Sequence, residues 1–202
     1  MNYLDPSEYE TYGLEKAVPA AFVAAASSLI DAHCRRETLG VAQYVERLRL
    51  GGRGGCRLSF LPLAPLAPAT SPLVNVRARY GVPRDPDELG LQVAGAFGLP
   101  GTWTDLDPAQ VEFDAATGEL AFPPNALGLA FNEVEVTYTG GLDPIPEPVK
   151  HACAQIVRNA LAAPALNVRA GSIDRMRLDY FADTLLDDTV RAQLAPYVAQ
   201  KL

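Results

Sequence analysis

Histidine is nearly absent from this sequence: among 202 residues only His33 and His151 occur. A metal centre built on several imidazoles, or the two-histidine helix of a zinc hydrolase, has no residues to draw on. His33 abuts Cys34, and His151 lies two positions before Cys153. Helix neighbours at i,i+1 and i,i+2 point apart, so neither pair makes a thiol–imidazole dyad by itself; a pairing across two helices stays open. Cysteine is scarce and odd in number. Cys34, Cys56 and Cys153 show no metal spacing and are expected as free buried thiols in a reducing cytoplasm. Long apolar runs are missing too, and none approaches the roughly 20 residues of a membrane span. The opening Met-Asn-Tyr-Leu-Asp has no basic region and no apolar core, so no secretion signal is expected. There is no Gly-x-Ser-x-Gly and no phosphate loop. Gly51-Gly52-Arg53-Gly54-Gly55 is rich in glycine but lacks the strand–loop–helix frame that cradles phosphate. Asp105, Asp107, Asp114 and Glu119 lack the glycine and terminal glutamate of a calcium loop, and read as solvated carboxylates at hairpin ends. The sequence therefore predicts no enzyme, no catalytic residue, no metal and no cofactor.

A basic excess is lacking as well. The net charge is −7, which argues against a general nucleic-acid binder. The charge is uneven, however. Residues 40–80 hold Arg47, Arg49, Arg53, Arg57, Arg77 and Arg79 against Glu46 alone, a surplus of +5 that leaves −12 for the remainder. Such a split suits faces with different partners, or head-to-tail contact between copies; a solvated outer strand face is the plainer alternative.

What is present is a soluble, globular composition, 49% apolar and 20% charged. The chain is organised around residues 133–163. Val134, Val136 and Tyr138 alternate with Glu133, Glu135, Thr137 and Thr139, as in a strand with one buried face. Gly140 and Gly141 allow a sharp change of direction. Pro144, Pro146 and Pro148 bar helix until Pro148 itself, which fits a first turn. A helix then follows, with Val149, Ala152, Cys153, Ile156, Val157, Ala160 and Leu161 on one stripe.

Elsewhere, residues 4–12 predict a short helix with Asp5 as cap, Pro6 first and Glu8 closing a capping box. A longer helix is expected from Pro19 to Arg35, its apolar stripe formed by Phe22, Ala25, Ala26, Leu29, Ile30 and His33 or Cys34. Asp31 and Arg35 are spaced there for an i,i+4 pair. Tyr44–Leu50 and Arg57–Leu61 read as a hairpin with a glycine tip. Prolines keep 61–73 extended and out of any central strand. Leu73–Tyr80 alternates again, and 82–101 reads as an ordered loop. Val111–Phe113 and Leu120–Phe122 form a second hairpin. Residues 165–172 read as a loop, Ile173–Phe181 as an extended segment free to pair with another chain, and Asp187–Leu194 as a terminal helix.

Several of these segments resemble the bacteriophage head–tail adaptor (connector) family of tailed phages and gene transfer agents. Ala26-Ser27-Ser28-Leu29-Ile30-Asp31-Ala32-His33-Cys34-Arg35-Arg36 is similar to the family's Ala-Ser-x-x-Ile-Asp-x-x-Cys-x-Arg helix. Tyr44-Val45-Glu46, the Tyr138-x-x-Gly141 strand end, Ile145-Pro146 and the long helix follow in the family's order. So do Asp188-Thr-Val190 and Leu194-Ala-Pro196-Tyr197. Residues 81–124 depart from the small adaptors and read as an insertion of unassigned role.

The resemblance implies an α+β fold. It has N-terminal helices at 1–40, a β-rich module at 41–139, a hinge and central core helix at 140–164, and a C-terminal arm at 165–202. It implies a structural subunit in a homo-oligomeric, dodecameric ring at the virion neck, assembled in the host bacterial cytoplasm. Partners would be the portal protein and a tail-side connector or stopper protein. DNA would pass a central channel without specific binding, and no membrane is involved. Expected interface residues are Arg175, Met176, Arg177, Leu178, Tyr180 and Tyr197 on the arm, with Arg47, Arg49, Arg77 and Arg79 on the strands. The alternative is a small tail or baseplate module whose β insertion binds a protein or glycan.

Overall fold

The computed structural model describes residues 2–51, 54–82, 87–124, 131–162, 170–173, 176–179 and 185–199. It is a mixed fold of helices and antiparallel sheets, in two compact units. The first unit takes Met1–Leu39 and Pro144–Ala199; the second takes Gly40–Asp143.

The first unit is helical. Pro6–Tyr12 is a 3-10 helix, entered at Asp5, whose backbone N–H donates to the Glu8 carboxylate at 3.2 Å. Helix α1 spans Ala20–Cys34, and the main helix of the unit spans Glu147–Ala162. The main helix buries Val149, Ala152, Cys153, Ile156 and Val157, as its periodicity predicts, while Leu161 is exposed. It packs against α1, the opening 3-10 helix and a last helix at Asp188–Leu194.

The buried stripe of α1 is Val23, Ala26, Ser27, Ile30 and Cys34, rotated from the expected one, and Phe22 and Ala25 face outward. Ser27 accounts for the rotation. Its hydroxyl donates to Val23 O at 2.8 Å and accepts from Tyr3 N–H at 3.1 Å, so a polar residue sits satisfied inside. The Asp31 carboxylate accepts from the Tyr3 hydroxyl in place of the expected Arg35 pairing, and Arg35 ends the helix at φ 56°.

The second unit is built on a four-stranded antiparallel sheet. Its strands are β1 (Ala42–Arg49), β3 (Leu73–Arg79), β4 (Thr104–Leu106) and β7 (Glu133–Gly140), in the order β1-β7-β3-β4. Strands β2 (Gly55–Arg57), β5 (Glu112–Phe113) and β6 (Glu119–Ala121) form a second sheet in the order β2-β6-β5. The β5–β6 hairpin is the predicted one.

The other predicted hairpin does not form. The chain reverses at Gly51–Gly55, with Gly51 N–H donating to Gly55 O at 2.9 Å, but β1 pairs with β7 and β2 pairs with β6. Strand β7 is the better partner for β1 because it sets Glu135 and Glu133 opposite Arg47 and Arg49, where a hairpin return would bring Arg57. Val134, Val136 and Tyr138 join Tyr44, Val76, Ala78, Leu58 and Leu120 in one apolar core. Backbone crowding fixes the glycines that end β7. A Cβ on Gly140 would lie 2.6 Å from Phe60 O, and Gly141, at φ 143°, packs against the Gly40 backbone.

Residues 82–101 are not a loop throughout, since helix α2 covers Glu88–Ala96. Asp87 caps it, accepting from Gly90 N–H at 2.6 Å. The main helix of the first unit is hereafter α3 and the last helix α4. The segment read as a single extended stretch from Ile173 holds a two-stranded ladder, β8 (Ala170–Ile173) with β9 (Met176–Asp179). Alternation along one strand fits a local partner as well as a foreign one, and here the local partner is used.

Candidate functional site

The arginines of the sheet share one face with two glutamates. On β7, Glu133 accepts from Arg47 Nε at 2.9 Å and Arg47 Nη2 at 2.8 Å with one oxygen, and from Arg79 Nε at 2.6 Å with the other. Glu135 accepts from Arg77 at 2.5 and 2.8 Å. The side chain of Trp103, just before β4, lies under three guanidinium groups: its ring centroid is 4.5 Å from Arg79 Cζ, 5.2 Å from Arg47 and 5.3 Å from Arg77. Arg49 donates to Val82 O at 3.2 Å. Burial raises the Glu133 carboxyl pKa, but hydrogen bonds from Arg79 and Arg47 outweigh it and hold the group below the ordinary carboxylate range.

The positive surplus of residues 40–80 is therefore answered in part by two acids that arrive fifty residues and more later in sequence. Of the four strand arginines, Arg47, Arg77 and Arg79 converge on Trp103, and Arg49 stands beside them on a backbone carbonyl. Any partner of this face meets ordered guanidinium groups, four of them set against two carboxylates. Sequence reading missed Trp103 and the Glu133 bridge; the alternation of β7 against two arginine-bearing strands was the available signal.

The inner face of the same sheet holds a second polar group. Glu46 accepts from the Tyr138 hydroxyl, from Ser59 N–H at 3.2 Å and from Ser59 Oγ at 2.9 Å. Burial, then the bond to Glu46, drives the Tyr138 phenol pKa strongly upward. The group joins β1, β7 and the segment after β2 and works as a structural tie.

The thiols are set up for packing. Burial pushes Cys34 and Cys153 up to about 11 and Cys56 up to about 12, the reverse of what a nucleophile needs. Cys153 is buried beside Ser27 Oγ at 3.9 Å, whereas His151 is exposed and meets Tyr12 edge-on at 5.0 Å. Next to that contact Tyr12 OH donates to Glu147 and Lys150 pairs with Glu8, each at 2.5 Å. Among the described residues, no group of three or more His, Cys, Asp or Glu side chains could hold a metal ion. Asp114 serves its turn, accepting from Ala116 N–H at 2.8 Å and Thr117 N–H at 3.2 Å.

Of the arm residues, Arg175 and Tyr180 lie outside the described residues, and Met176, Arg177 and Leu178 fall on β9. Tyr197 is half-buried, following α4. Helix α4 belongs to the first unit's own core. Val190 and Leu194 are buried, Asn159 Nδ2 donates to Asp187 at 3.2 Å and to Leu185 O at 3.3 Å, and Ala199 N–H donates to Cys34 O at 2.9 Å. The C-terminal arm expected from residue 165 is therefore not wholly separate from the core: α3 leaves an apolar side that α4 covers.

No helix among the described residues is long and apolar enough to cross a membrane. A scan against protein-family models finds no match to this chain, and a search of curated proteins finds none either.

Proposed function

We propose that this protein is a structural head–tail connector: a helical core with an inserted β module, repeated around a ring between portal and tail of a phage-like particle. The observation that carries the reading is the set of large apolar side chains left in solvent on both units. Phe22 and Leu161 belong to the helical unit, and Leu89, Val93 and Phe97 to the β unit. Leu89, Val93 and Phe97 lie along one side of a single helix and its end, and a contiguous apolar surface of that kind fits a part of an assembly.

Three further features support it. Residues 1–39 and 144–199 make up the helical unit, with residues 40–143 of the β unit between them in sequence. Among the described residues, Cys34 and Cys153 are buried, and Glu133, Glu135 and Glu8 are held in ion pairs. The net charge of −7 gives an acidic subunit, and a channel lined with it would repel DNA and let it pass. In this reading the β8–β9 segment and Tyr197 meet the portal or a neighbouring copy. The arginine–Trp103 face is a stiff panel of the β module.

Electron microscopy of the purified protein, alone and with its cognate portal, tests the reading. Closed rings stacked on the portal are expected. A protein that never joins a portal and leaves head–tail joining unaffected when deleted refutes the connector role.

A further inference from the structure

Helix α2 turns Leu89 and Val93 to solvent, and Phe97 just past its end does the same. Leu89, Val93 and Phe97 recur at i, i+4 and i+8 on one side and are 67%, 46% and 79% exposed, while Ala94 faces inward. The ridge is about 12 Å long at 1.5 Å per residue.

Helix α1 carries a surface of the opposite relief. No charged residue occurs between Lys16 and Asp31, although an exposed helix face ordinarily carries charge. Its outward side is Ala21, Phe22, Ala25 and Ser28, with Leu29 half-buried at the margin. Small residues there leave grooves into which a ridge of larger side chains fits. From Ala21 to Leu29 this face also runs about 12 Å.

Charge gives the direction. The start of α2 carries exposed Asp87, and no lysine or arginine follows before Thr102. The end of α1 carries exposed Arg35, and the nearby Asp31 carboxylate is taken by the Tyr3 hydroxyl. Antiparallel packing sets Asp87 against Arg35.

We propose that α2 of one copy docks antiparallel on the outward face of α1 of a second copy. The two patches differ, so the contact is heterologous. Each copy offers α2 to one neighbour and α1 to the other, and the array closes into a ring or runs on as a filament. Ring closure rests on the connector reading; the contact itself does not.

The test uses the full chain in size-exclusion chromatography with light scattering. Wild type is expected above monomer mass. Phe97→Asp and Ala25→Asp, both at exposed positions, should each weaken self-association at least about tenfold, with melting curves confirming the fold. Mixed one to one, they should form a dimer and nothing larger, because one variant keeps α1 intact and the other keeps α2. As a second route, Arg35→Asp, which leaves the Asp87 cap of α2 in place, should weaken assembly. A monomeric wild type, a single variant that assembles like wild type, or a mixture without dimer overturns the proposal. Portal-bound rings that persist in Phe97→Asp refute this contact and leave the connector reading standing. An α2–α1 assembly in solution, with heads joining tails normally in its absence, refutes the connector reading and leaves the contact standing.

Discussion

The two units place their polar groups differently. In the helical unit, Lys150–Glu8 and Tyr12–Glu147 each join one side chain to one other, and the buried Tyr3 hydroxyl meets Asp31 and Thr38 inside a core otherwise mostly apolar. In the β unit, one strand carries polar ties on both faces. Glu133 binds two arginines from the two flanking strands on one side, and Tyr138 binds Glu46 on the other. A helical unit held by packing is broken through its interior. A sheet tied by shared carboxylates is also open to attack by acid.

The largest effect expected from that contrast is at Ile156, fully buried on α3. Ile156→Asp places an unpaired charge there and should cost roughly 3–5 kcal/mol. Denaturant melts read by helix signal should show the loss, and an unchanged midpoint would remove α3 from the centre of the core. Leu194→Ala, on α4, comes next at about 2–5 kcal/mol. Deleting residues 173–202 removes α4 altogether and should leave the helical unit without a cooperative melt. A truncated chain that melts like the full one would detach α4 from that core.

Glu133→Gln should cost about 1–3 kcal/mol at neutral pH, since charge-assisted bonds to Arg47 and Arg79 become weaker neutral ones. A carboxyl depressed in the folded state contributes stability in full above its unfolded value, about 4.3. That contribution is lost as pH falls through the lower folded value. The wild-type melting temperature should therefore drop more steeply below about pH 4.3 than that of Glu133→Gln, and parallel curves would exclude this carboxylate as the acid-sensitive tie. The smallest effect is at the thiols. With all three pKa values raised by burial, iodoacetamide at pH 8 should label the native chain slowly and the unfolded chain fully. Rapid native labelling at any one cysteine would mark an accessible thiolate.

The legible parts of the sequence were those with strong contrast between neighbouring positions. Strand β7 alternates without exception, and α3 keeps its apolar residues at helical spacing up to Val157. Helix α1 is so rich in alanine that several faces look equally apolar, and its buried Ser27 counts against the correct one. Helix α2 hid behind Gly90, Gly95 and the prolines around it, and Leu89 and Val93 face outward, where a search for a core stripe does not look. Pairing was the least legible level. Strand β1 alternates equally well beside β2 or β7, and only the glutamates of β7 decide between them. Of the candidate interface residues, the strand arginines could be named from the chain, whereas their convergence on Trp103 needed the fold.

Strand β7 lies between β1 and β3 yet is the last of the sheet to be made. The Arg47–Glu133 and Glu46–Tyr138 ties span 86 and 92 residues. At about 5–20 residues per second, a ribosome spends roughly 4–20 s between the two ends of such a tie. By the later part of that interval β1 and β3 have both been made, with their apolar sides uncovered and their arginines without the carboxylates that will receive them. Emergence of residues 133–140 then supplies the missing centre to both at once. Folding of this unit is timed by translation, and a nascent chain stalled before Glu133 is the form most in need of a chaperone.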